Sequence, residues 1–182
     1  MSIELVSLNL VGASVAEEGG IVSAQDGATV KVVNCAFTNS STSQHGGAIA
    51  LLNGSTLTVE DSLFQGKSAQ LGGGGICAFE GSSATISNST FKGNSTQGDG
   101  GAICAFEGSS ATISNSTFKG NSTQGDGGVI YAVEGSSVTV KDSTFTNNSA
   151  DGNENGDAIW LDDSSTLDVA LVELEEEIET FF

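Results

Sequence analysis

Few side chains in this sequence are equipped for acid–base or nucleophilic chemistry. His45 is the only histidine, arginine is absent, and the basic residues are five lysines, Lys31, Lys67, Lys92, Lys119 and Lys141. Against them stand 23 acidic residues, for a formal net charge of -18. Chemistry that needs a guanidinium is excluded, and so is a basic face for nucleic acid. Cys35, Cys77 and Cys104 form no C-x-x-C pair of the kind that holds zinc. The spacing closest to a metal loop is Asp151-Gly152-Asn153-Glu154-Asn155-Gly156-Asp157. In a D-x-N-x-N-G run, oxygen ligands alternate and the glycine makes the sharp turn, so Asp151, Asn153, Asn155 and Asp157 are candidate calcium ligands. Asp162 stands where such a motif wants Glu, but a strand over 157–161 would carry it away from the loop. The competing reading is an Asx-rich turn without an ion.

The remaining acidic residues recur instead of converging. Glu80, Glu107 and Glu134 are each 27 residues apart, as are Asp99 and Asp126. A single active site would break such a period, and these residues follow it. Asn39, Asn53, Asn88, Asn94, Asn115, Asn121 and Asn147 begin N-x-[S/T] sequons. The simpler reading is that Asn, Ser and Thr crowd turn positions and generate sequons by chance.

The elements that position these residues follow from the same period. Phe37, Phe64, Phe91, Phe118 and Phe145 lie 27 residues apart, and Ile76–Gly101 recurs unchanged as Ile103–Gly128. Gly19-Gly20-Ile21-Val22, Gly46-Gly47-Ala48-Ile49, Gly100-Gly101-Ala102-Ile103 and Gly127-Gly128-Val129-Ile130 fall in register. Gly156-Asp157-Ala158-Ile159 follows after a two-residue insertion. Apolar columns two residues apart, such as Ala84/Ile86 and Val138/Val140, enclose polar positions such as Thr85 and Thr139. That alternation marks strands with one buried face. Gly27, Gly54, Gly81, Gly108 and Gly135 fill one turn column, where glycine takes a positive φ.

Each unit therefore reads as two clear strands plus a third short stretch from Phe91 to Thr96. One such rung has no core of its own. Stacking about six rungs at a rise of roughly 4.8 Å buries identical columns against each other and yields an all-β parallel solenoid. A helical repeat is excluded by the period of two and by the abundant Gly and β-branched residues. The solenoid should span residues 1–174, with 175–182 as an acidic C-terminal tail or cap. Within that end, Leu171, Leu174, Ile178 and Phe181 also fall on one helical stripe, so strand and helix both remain open there. The five Glu residues of 171–182 would discourage end-to-end stacking.

Gly-Gly-Ala-Ile once per rung, followed by Phe91-Lys92-Gly93-Asn94, Phe118-Lys119-Gly120-Asn121 and Phe145-Thr146-Asn147-Asn148, resembles the repeats of chlamydial polymorphic outer membrane proteins. The resemblance implies a right-handed, single-stranded parallel β-helix of the pectin-lyase-like type. In this sequence the Asn column covers three rungs, because Ser40 and Lys67 occupy the equivalent positions. Enzymes of that fold resemble pectate lyases, with Arg or Lys beside calcium, or polygalacturonases, with clustered carboxylates. Neither set is assembled here, so the chain reads as a non-enzyme.

One repeated surface remains. Thr58, Thr85, Thr112 and Thr139 form a column, with Thr56, Ser83, Ser110 and Ser137 two residues earlier. These eight residues are the candidate binding face. Outward T-x-T ladders on a flat solenoid are similar to the ice-binding faces of some antifreeze proteins, although Thr and Ser also suit exposed strands. Cys77 and Cys104 stack one rung apart beside Ala50 and Tyr131, close enough for a bridge. The simpler expectation is two outward free thiols made by rung duplication.

The start, MSIELVSLNL, does not read as a signal peptide, and no apolar run approaches the ~20 residues of a membrane span. The expected function is a non-catalytic structural or adhesive module, extracellular or at a cell surface, that binds another protein or a glycan surface. A polysaccharide-binding or polysaccharide-cleaving β-helix and an ice-binding solenoid are the alternatives. No cofactor is required, with calcium the one candidate.

Overall fold

Each 27-residue unit turns four corners, and each corner is built from residues that tolerate a left-handed backbone. In a computed structural model, which describes residues 1–152, 156–174 and 178–180, the corners recur at fixed sequence positions. Glu107 and Gly108 have φ of 55° and 70°, and Ser109 N donates to Phe106 O at 3.2 Å. This is a type I′ turn, which needs positive φ at both central residues. Asn88, Asn115 and Asp142 make the second corner at φ of 49°, 47° and 47°. Gly93 or its equivalents make the third, and Gly100 and its equivalents the fourth.

Between the corners run four strands per rung, for example Ser83–Ser87, Thr90–Lys92, Ser95–Thr96 and Ile103–Ala105. They stack into four parallel sheets, here sheets A to D in that order, of 7, 7, 6 and 7 strands. Register is strict: Thr85 pairs with Thr112, Phe91 with Phe118, Ser95 with Ser122 and Ile103 with Ile130. The two-residue insertion shifts only sequence spacing, since Ile130 still pairs with Ile159. The fold is thus the all-β parallel solenoid expected, with about six turns. One detail differs. The third stretch, Phe91 to Thr96, is two strands, because positive φ at Gly93 (59°) turns the chain between them.

The Gly-Gly pair has a steric cause. A methyl group on Gly74 would stand 2.2 Å from Gly101 O, and one on Gly101 would stand 2.1 Å from Gly128 O. Consecutive rungs approach there at backbone-to-backbone distance, and only glycine fits.

The core is a set of ladders. Phe37, Phe64, Phe91, Phe118 and Phe145 are fully buried, with ring centroids 4.7, 4.6, 5.0 and 4.8 Å apart. Buried serines form a polar ladder beside them. Ser62, Ser89 and Ser116 each donate a backbone N–H to the hydroxyl of the serine one rung on, at 3.1 Å, and Cys35 N donates to Ser62 Oγ at 3.0 Å. Asn94, Asn121 and Asn148 form a second ladder. Asn94 Nδ2 donates to Phe64 O and to Asn121 Oδ1, satisfying the corner carbonyl of the preceding rung.

At the C-terminal side, Glu173–Leu174 pairs with Thr144–Phe145, and Ile178–Thr180 pairs with Ile159–Leu161. The residues of the helical stripe that fall in these segments are therefore in strands.

Candidate binding faces

Sheet A presents the Ser/Thr columns outward, because Ala84, Ile86 and their equivalents point into the core. The columns are continuous in register: Thr56, Ser83, Ser110 and Ser137 in one, Thr58, Thr85, Thr112 and Thr139 in the other. The structure extends the first column to Thr29 and Thr166, which the sequence reading omitted. Thr56 Oγ1 donates to Thr29 Oγ1 at 3.3 Å, so the ladder also bonds along the axis. Hydroxyls repeat at roughly 4.8 Å along the axis and about 6.6 Å across a strand. The charged residues at either end of the second column are paired. Lys31 Nζ lies 3.5 Å from Glu4 Oε1, and Asp168 Oδ2 lies 4.0 Å from Lys141 Nζ.

The calcium candidates are placed differently. Asp157 Oδ1 accepts the Ala150 N–H at 2.9 Å, and Asp151 is exposed. Asn153 and Asn155 lie outside the described residues. Asp162 belongs to the next corner, where Oδ2 accepts the Glu134 N–H at 2.9 Å and the Ser164 hydroxyl donates to the same carboxylate. Burial acts to raise the Asp162 pKa, and these hydrogen bonds outweigh it and hold the group below its ordinary value. Among the described residues no three His, Cys, Asp or Glu side chains gather around one point.

The repeated carboxylates stay on their corners. Glu80, Glu107 and Glu134 are exposed. Asp99 is partly buried, and Asp99 Oδ1 accepts the Asp126 N–H at 2.9 Å. Burial pushes its pKa up, the hydrogen bond opposes that, and the Asp126 carboxylate adds to the rise. Of the sequons, Asn39, Asn53, Asn88, Asn115 and Asn147 sit at positive φ, while Asn94 and Asn121 are buried in the core ladder. Five of the seven thus have a place at a corner and two a place in the ladder.

The outer side of sheet D was not anticipated. His45 Nδ1 lies 3.1 Å from Glu18 Oε1, and Glu18 Oε2 accepts the His45 N–H at 3.0 Å. The His45 ring meets Phe79 edge-on at 4.8 Å. Phe79 stacks on Phe106 at 5.1 Å, and Tyr131 stacks on Trp160 at 4.9 Å. Stacked rings cover one another's faces and turn only edges outward, which leaves little platform for a sugar ring or a cation. A cavity of about 170 Å³ lies between Glu18, His45, Leu52, Phe79, Glu80 and Glu107. A larger groove of about 540 Å³ follows the bend between sheets A and B, along Ser7, Asn34, Asp61 and Asn88.

Cys77 and Cys104 depart from the expectation of free thiols. They are joined in a disulfide across adjacent strands, with Cα atoms 4.6 Å apart. Both are fully buried although they lie on the outer side of the sheet. The sequence signal was present, since paired columns one rung apart meet the distance requirement. What it could not show was the chain segment that covers them. Cys35 is a free, buried thiol in the serine ladder.

A family model described as a right handed beta helix region matches residues 19–172. No curated protein and no solved structure matches the chain.

Proposed function

The chain belongs to the right-handed β-helix family, and from that premise we propose that it is a non-catalytic structural and adhesive module, working outside the cell or at a cell surface. The observation that carries this reading is the outer face of sheet A. There Thr58, Thr85, Thr112 and Thr139 and their Ser/Thr neighbours form unbroken, in-register columns on a rigid support. Such a face offers many equivalent weak contacts to another protein or a glycan surface, and its affinity grows by multivalency. The buried Cys77–Cys104 bridge supports an oxidising compartment. The likeness to polymorphic outer membrane protein repeats supports adhesion.

The test is binding on protein and glycan arrays with the native chain and with Thr85→Tyr/Thr112→Tyr. Tyrosine suits exposed strands and breaks the flatness of the face. Lost binding with unchanged circular dichroism and Tm supports the module. Binding that ignores the substitutions, or release of sugar from a polysaccharide, overturns it. The same regular hydroxyl array favours ice binding as a second reading. Failure to shape ice crystals at high protein concentration would remove that one.

A further inference from the structure

We propose that the N-terminal end face of the solenoid is a self-association surface, through which two copies of this chain pair end to end about a twofold axis. The rung over residues 2–24 supplies the outermost strand of all four sheets. Ser2–Val6, Asn9–Val11, Ser14–Val15 and Val22–Ala24 are therefore each paired on one side only. Their free backbone groups are a template for a further strand. Six of the nine large apolar side chains exposed among the described residues lie in this rung: Met1, Ile3, Val6, Leu8, Val11 and Val15.

Any outermost rung uncovers its inward columns. Ile3 is 43% exposed where its neighbour Val30 is 1%, and Val15 is 39% exposed where Thr42 is 4%. The residue types are what set this end apart. A terminal rung that faces water is more polar than the rungs behind it, and this one is more apolar. Val11 heads a column that continues as Thr38, Gln65 and Lys92. Val15 heads one that continues as Thr42, Ala69 and Thr96. Leu8 stands in the column of Cys35, Ser62 and Ser89. Columns that are polar or small within the solenoid thus turn apolar at its N-terminal end, as the core of an interface requires.

Charge selects a second copy in head-to-head orientation. Residues 157–182 hold four Asp and five Glu and no lysine. Residues 1–24 hold only Glu4, Glu17 and Glu18, and two of these are already partnered. Glu4 Oε1 lies 3.5 Å from Lys31 Nζ, and Glu18 Oε1 lies 3.1 Å from His45 Nδ1. The Glu4–Lys31 pair is self-complementary. Antiparallel pairing of Ser2–Val6 with the same strand of the second copy, centred on Glu4, sets Ile3 opposite Leu5 of that copy. It also flanks the two Glu4 carboxylates with two Lys31 ammoniums. Head-to-tail addition, which builds an open filament, would instead set Glu4 and Glu17 against the acidic end. A rung of 27 residues at ~3.3 Å each encloses roughly 500 Å², so two apposed ends bury about 1,000 Å², the lower bound for a specific interface. Sheet A becomes continuous across the pair, which doubles the length of its Ser/Thr columns. The association is independent of what that face binds.

The native chain is followed by light scattering over a dilution series and by small-angle scattering. The expected result is twice the chain mass of 18.3 kDa at high concentration, falling to the single mass on dilution. The dimer should be about twice as long as the monomer with the same cross-section. Leu8→Ser/Val11→Gln/Val15→Thr gives the end the residues of Ser62, Gln65 and Thr42, and should weaken association roughly tenfold or more with an unchanged β spectrum. Lys31→Thr, which continues the column of Thr58, removes the shield between the two Glu4 carboxylates and should weaken it likewise. If the triple variant loses its β spectrum, Lys31→Thr alone decides. A single chain mass at every concentration, a dimer no longer than the monomer, growth beyond two chains, or association unmoved by either folded variant would each overturn the proposal.

Discussion

Lys67 occupies the place that the next three rungs give to asparagine. Its backbone N–H still uses the ladder, donating to Asn94 Oδ1 at 3.0 Å, but its ammonium is buried without a partner. Burial pushes the amine down from 10.5 to about 8. The folded state therefore binds fewer protons than the unfolded state between those values, and stability rises with pH through that window. Below pH 8 the full penalty applies, at most about 3 kcal/mol for a shift of this size. Lys67→Asn should raise stability most at neutral pH and progressively less toward pH 10.5, as read from urea midpoints of both proteins across that range. An advantage that did not shrink with pH would mean that the buried ammonium is not its source. A second residue-scale outlier is Glu107, at φ 55° in a corner where Asp26 and Asn53 stand in earlier rungs. Glutamate lacks the short side chain that eases this conformation, and it lies in register with Glu80 and Glu134. Glu107→Asn should stabilise by about 0.5–1 kcal/mol, checked by thermal denaturation.

At the scale of the element, the ladders carry the cost of turning corners inside a protein. Asn121 accepts the Asn94 N–H at 3.1 Å and donates to Phe91 O at 3.1 Å and to Asn148 Oδ1 at 2.9 Å. Asn121→Ala would leave a buried donor and a buried acceptor unpaired, and should cost about 2–4 kcal/mol by chemical denaturation. Ser122→Ala, on the outward neighbour, should stay within about 0.5 kcal/mol of the native protein. The same ladders explain what the sequence made legible. Inward columns such as Phe91 and Ile86 repeat with one chemistry, and alternation exposes them. Ser89 and Ser116 were hidden because a buried serine at a corner has the composition of an ordinary polar turn. The break between Thr90–Lys92 and Ser95–Thr96 was hidden because Phe91 and Thr96 both point inward on either side of it. On the outer side of sheet D, Phe79 and Phe106 stand apart from the inward columns, so the period of two does not disclose their stack. The Cys77–Cys104 bridge was visible as a spacing but not as a covered site, since its cover comes from Gly72 and Gly73.

Across the whole molecule, stability is a sum over similar rungs and their contacts, because each rung touches only its neighbours. The candidate face is a product of that repetition and not of one constellation, which is why its columns could be read while its partner could not. Register also depends only on the interval between matching columns, since Ile76, Ile103 and Ile130 pair in succession. Removing one complete interval should therefore remove one rung without disturbing the others. Deletion of Ile76–Ala102 joins Gly75 to Ile103 and leaves every corner with its own residues. It removes Cys77, so the remaining Cys104 should become a free thiol. The shortened chain should keep the β spectrum of the parent and contract by roughly 4.8 Å along the axis, as read by small-angle scattering. Its urea m-value should fall by about one sixth, in proportion to the surface no longer buried. Deleting 26 residues instead should unfold the chain. Every strand after the junction would slip by one position and turn its apolar face to water. If both deletions folded equally well, column register would not be what holds the solenoid together.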